Sequence, residues 1–61
     1  MNDEFEEILE NFLNGNISDT KKQVKALSPY DRYEFIEYLN DNRQENVAGF
    51  ITRWCVIGEF K

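Results

Sequence analysis

The chain has 61 residues, with seven Lys+Arg against twelve Asp+Glu for a formal charge of −5, no histidine and a single cysteine, Cys55. That length holds one domain, spanning 1–61, and leaves little room for a deep substrate pocket and its scaffold. Without histidine, and with one cysteine, zinc fingers, His-based triads and Cys–His dyads are excluded, so no metal, cofactor or catalytic residue is expected.

A chain of this size buries only about 60% of the surface it exposes when unfolded. One cysteine forbids an internal disulfide, so dense packing or a partner must compensate. Nine aromatic residues (Phe5, Phe12, Tyr30, Tyr33, Phe35, Tyr38, Phe50, Trp54 and Phe60) suit either role, because they carry large apolar area with little rotamer entropy.

In the first segment Phe5, Ile8, Leu9, Phe12 and Leu13 recur at helical period, which predicts a helix over about 3–13. Asn2 or Asp3 can cap its start, acids at 3, 4, 6 and 7 favour the positive end of its dipole, and Gly15 in Asn14-Gly15-Asn16 suits a left-handed stop. Ser18 then reads as an N-cap for a helix over about 19–27, with Ile17, Val24, Ala26 and Leu27 as a modest apolar face. Ser28-Pro29-Tyr30-Asp31 is a stronger start. Ser28 can cap, Pro29 fits the first helical position, and Asp31 takes the acid's place of a capping box, giving a helix over about 29–40 with Phe35, Ile36 and Leu39 inward. Asn42 with Glu45 repeats that box spacing and opens a helix over about 43–57, on which Val47, Phe50, Ile51, Trp54 and Ile57 recur and which Gly58 ends. The β-formers in this segment, and Gly49, which costs a helix about 1 kcal/mol relative to Ala, leave a terminal strand as the alternative; it would need an edge from a second chain. The expected fold is all-α, a compact bundle of three to four short helices.

Charge is uneven. Residues 1–16 carry −5, residues 17–28 carry +2 through Lys21, Lys22 and Lys25, residues 29–43 carry −2, and the remainder is neutral. Nucleic-acid phosphates would be repelled, so direct DNA or RNA binding is not expected. On the third helix Tyr30, Glu34, Glu37 and Asp41 share a face, with Tyr33 and Tyr38 on its margins. Rigid rings amid carboxylates suit recognition of a basic partner, so these six residues are the expected partner-binding site. The plainer alternative is that the rings seal the core edge and the acids keep the chain soluble.

The carboxylates of the first helix could imitate a phosphate backbone, or merely favour the helix dipole. Trp54 is expected in the core, with a half-exposed aromatic patch of Phe50, Trp54 and Phe60 as the alternative. Cys55 is expected to be a small buried apolar residue, no pair of carboxylates stands out as tuned for acid–base work, and no calcium loop is present. MNDEFEEILE lacks the basic region and apolar core of a signal peptide, and no apolar run approaches the ~20 residues that span a bilayer. A cytoplasmic chain is expected, with no membrane partner and the Asn16-Ile17-Ser18 sequon unused.

With Phe12-Leu13-x-Gly15-Asn16, then Val24-Lys25-x-Leu27-Ser28-x-x-x-Arg32-x-Glu34-Phe35-Ile36-x-x-Leu39, the chain resembles the small acidic proteins that bacteriophages encode for host takeover. That resemblance implies a compact inhibitor or adaptor in the host cytoplasm, binding one host enzyme or a nucleic-acid-processing complex. The reading is thus a non-enzymatic protein-interaction module acting through the acidic tyrosine face. Its alternatives are a nucleic-acid mimic in a partner's basic groove, and a homodimer through the aromatic C-terminal helix.

Overall fold

A computed structural model describes residues 3–57. It contains α1 (Asp3–Leu13), α2 (Ile17–Ala26), α3 (Pro29–Asp41) and α4 (Glu45–Ile57), and no strand among the described residues. The strand alternative for the last segment is thereby overturned: Ile51 and Trp54 reach the core only at helical spacing, and tertiary burial outweighs β-propensity. The expected roles of Asn2, Gly58 and Phe60, and the side chain of Ile57, lie outside the described residues.

The chain forms two helical hairpins, α1 with α2 and α3 with α4. Each hairpin turns through the same backbone device. After α1, Gly15 takes φ 85°, its N–H donates to the Phe12 carbonyl (3.1 Å), and the Asn16 N–H reaches back to the Asn11 carbonyl (2.9 Å). After α3 the same pair of bonds runs from Arg43 to Asn40 (3.1 Å) and from Gln44 to Leu39 (2.7 Å), with Arg43 at φ 60°. Both are Schellman turns, which satisfy carbonyls that helix ends leave orphaned.

These turns move two expected helix starts. α2 begins at Ile17, so Ser18 lies inside it and is not its cap; the Thr20 hydroxyl instead donates to the Asn16 carbonyl (2.7 Å) and is fully buried. Asn42 likewise does not open α4. It closes α3, its side-chain amide donating to the Tyr38 carbonyl (2.7 Å), and Glu45 becomes the first residue of α4 with no capping box. Between the hairpins the expected Ser28 cap and Pro29 start hold. Ser28 is extended ahead of Pro29, and its hydroxyl accepts the Asp31 N–H at 3.1 Å.

α1 supplies Phe5 and Ile8 to the core, α2 supplies Val24 with Leu27 just beyond its end, α3 supplies Phe35 and Leu39, and α4 supplies Val47, Ala48, Ile51 and Trp54. Leu9, Phe12 and Ile36 pack half-buried against it. Four expected inward residues are not inward. Leu13, Ile17 and Ala26 are exposed at helix ends, and Phe50 remains 51% exposed on the flank of α4. Aromatic contacts through α1 join the hairpins: Phe5 meets Phe35 at 5.2 Å between centroids, and Phe12 meets Trp54 at 6.0 Å.

Arg32 closes the joint between the hairpins. Its guanidinium donates from Nε to the Val24 carbonyl (3.2 Å) and from a terminal nitrogen to the Lys25 carbonyl (2.8 Å), at the negative end of α2. Removing this clamp by Arg32→Ala is expected to cost about 1–3 kcal/mol, read as a fall in Tm. The opposite sign is expected at Arg43, where a non-glycine residue holds a left-handed conformation. Arg43→Gly should stabilise the fold by about 1 kcal/mol, an increase in Tm of roughly 4–8 °C for a domain of this size.

Candidate protein-interaction surfaces

α3 presents its exposed ridge because Phe35 and Leu39 are fully buried and turn the opposite side of the helix outward. Tyr30 and Tyr33 stand on that ridge, 68% and 60% exposed. Each ring has a carboxylate one turn along the helix, Glu34 beside Tyr30 and Glu37 beside Tyr33. Hydrogen bonding toward that carboxylate and its negative charge raise both phenol pKa values above the ordinary 10.0. Glu37 and Asp41 are exposed along the same side, and Glu34 is half-buried.

Tyr38 does not join them. Its ring lies 5.6 Å from Phe5 and runs nearly parallel to Phe35, at 6.4 Å and 17°. It seals the core edge and borders a shallow cleft with Leu9 and Leu13 of α1. Five of the six expected residues therefore form the ridge, and the sixth belongs to the packing.

A second surface takes in Phe50 and Trp54 of the aromatic patch offered above, and adds residues of α1 and α2 that the sequence did not single out with them. Phe12 of α1, Ile17 and Lys21 of α2, and Phe50, Arg53 and Trp54 of α4 line a groove of ≈ 460 Å³. Lys21 Nζ lies over the Trp54 ring at 5.3 Å, and Phe12 and Phe50 are 5.8 Å apart. Beside it, Asn46, Gly49, Phe50 and Arg53 border a recess of ≈ 210 Å³ on the outward face of α4. The available signal was Gly49, a helix-weakening residue in mid-helix. A Cβ built there meets nothing within 4 Å.

Cys55 is half-buried and sits against the core; burial pushes its thiol pKa up, against a smaller lowering by Arg32. Among the described residues no group of three or more Cys, Asp or Glu is placed to hold a metal ion, and no buried side-chain nitrogen or oxygen lacks a hydrogen-bond partner. Among the same residues, no helix is long and apolar enough to cross a membrane. No protein-family model, curated protein or solved structure matches the chain.

A spectrophotometric titration tests the effect of these carboxylates on the rings. Two tyrosines should ionise above pH 10.0, and Glu34→Gln should bring the Tyr30 midpoint back toward that value. Because the folded-state pKa is raised, whatever this pairing contributes to stability is present below pH 10 and is lost as pH climbs through the raised values.

Proposed function

We propose that the chain is a protein-interaction module without chemistry of its own, docking a basic or mixed partner surface through the α3 ridge of Tyr30, Tyr33, Glu34, Glu37 and Asp41. The observation that carries this reading is that two large rings project into solvent, each with a carboxylate one turn away. Such rings bring large contact area with little rotamer entropy to lose on binding. The surrounding carboxylates steer a positively charged partner and raise its on-rate. The likeness to phage host-takeover proteins points to a host protein as the target, inhibited or modulated in the cytoplasm.

The five acids of α1, all exposed, support a second reading in which the chain occupies a basic groove built for DNA or RNA. Salt and competition separate the two. A mimic's binding falls steeply with salt and is displaced by duplex DNA, whereas the ridge binds without such competition.

The test uses the wild-type chain as bait, with the recovered partner then titrated against variants. Tyr30→Ala, and Glu34→Lys combined with Glu37→Lys, should each weaken binding at least about tenfold while leaving the helical circular dichroism signal unchanged. Variants that bind as the wild type does would remove the α3 ridge from the interface.

A further inference from the structure

Three of the four helices carry an excess of one sign: α1 has five acids and no base, α2 three lysines and one acid, and α3 four acids and one arginine. α4 alone is balanced, with Glu45 and Arg53 as its only charged residues. Both are exposed, one turn before and one turn after the exposed Gly49, and at helical period the three fall within a sector of about 80°. Two chains of charge −5 repel overall, and across a two-fold axis, where each helix meets its own copy, α1, α2 and α3 each set like charges against like. This face escapes that repulsion and carries opposite charges placed symmetrically about its centre.

We propose that this face binds a second copy of the chain, with the two α4 helices antiparallel about a two-fold axis at Gly49. In that arrangement each position before Gly49 in one copy faces the equivalent position after it in the other. Glu45 of each chain therefore comes within side-chain reach of Arg53 in its partner, twice by symmetry. Gly49 lets the backbones approach closely. The two Phe50 rings fall on the same side of the axis, where each seats in the other's recess bordered by Asn46, Gly49 and Arg53. This accounts together for a large aromatic residue left 51% exposed and a glycine in mid-helix with open space above it.

The surface sets the strength. A standard interface takes about 800 Å² from each partner, roughly a fifth of the 4279 Å² this chain exposes. A helix about 20 Å long supplies only part of that area, so the dimer is expected to be weak, with micromolar affinity.

Sedimentation equilibrium of the full chain across roughly 10 to 500 µM reads the proposal directly. The weight-average mass should rise from 7.3 kDa toward twice that value. Glu45→Arg and Arg53→Glu should each weaken the dimer at least about tenfold, and the double swap should restore it to within about threefold. Gly49→Gln fills the recess and should weaken the dimer equally, while the Tm of the dilute monomer stays level or rises. Circular dichroism checks that each variant folds; if Arg53→Glu does not, the Glu45→Arg and Gly49→Gln results decide. A mass of 7.3 kDa at every concentration, or a double swap as weak as either single one, overturns the proposal. A chain that stays monomeric yet binds a glutamate–tyrosine copolymer, and loses it with Arg53→Glu, has an acidic partner on this face instead.

Discussion

Arg32 reaches from the first turn of α3 back to the Val24 and Lys25 carbonyls at the end of α2, and the arrangement of the two hairpins depends on that reach. A helix ends with carbonyls that have no partner of their own. Here α2 meets the next helix after only Leu27 and Ser28; the Leu27 N–H takes the Val24 carbonyl at 3.1 Å, and the chain turns into α3 without the Schellman turn that ends α1 and α3. A guanidinium carries several donors in a rigid fork, so one side chain serves two carbonyls and adds positive charge where the α2 dipole is negative. With the joint held, α1 is brought across both remaining helices, Phe5 against α3 and Phe12 against α4.

The same economy explains why so much aromatic area remains outside. Fully buried Phe35, Leu39, Ile8, Ile51 and Val24 fill the centre of a particle whose Cα atoms have a radius of gyration of only 10.2 Å. A core this small has no space for nine rings. Tyr38 and Phe12 take its edges, and Tyr30, Tyr33 and Phe50 are left at the surface. Exposed rings add no burial to a small domain and mark surfaces suited to a partner, and they fall on two separate faces. The ridge of α3 is acidic, with a carboxylate beside each ring. The outward face of α4 is neutral and recessed. Surfaces of such different character suit different occupants.

Much of this was legible in the sequence. The four helices follow from apolar period and turn residues, and the Ser28-Pro29 start and the Gly15 stop are local events that three or four residues determine. The outward placement of Tyr30, Tyr33, Glu37 and Asp41 follows from the same period once Phe35 and Leu39 are taken as inward. The caps at Ser18 and Asn42 were misread for a physical reason. Asn, Ser and Asp can serve the end of one helix or the start of the next, and which they serve depends on where the Schellman bonds close. Arg43 in a left-handed conformation breaks the preference that reserves such a position for glycine, so no glycine marked that turn.

The amino-acid order by itself determined the helical class, the helix faces, the segregation of charge and the exclusion of histidine- and disulfide-based chemistry, because each depends on composition or on neighbours within two turns. Only the tertiary structure decided that Tyr38 packs while Tyr33 does not, that Arg32 clamps α2, and that Phe12, Ile17, Lys21 and Trp54 meet Phe50 around one groove. Those outcomes depend on how the helices cross, and helical period cannot say which flank of a helix a neighbour will cover.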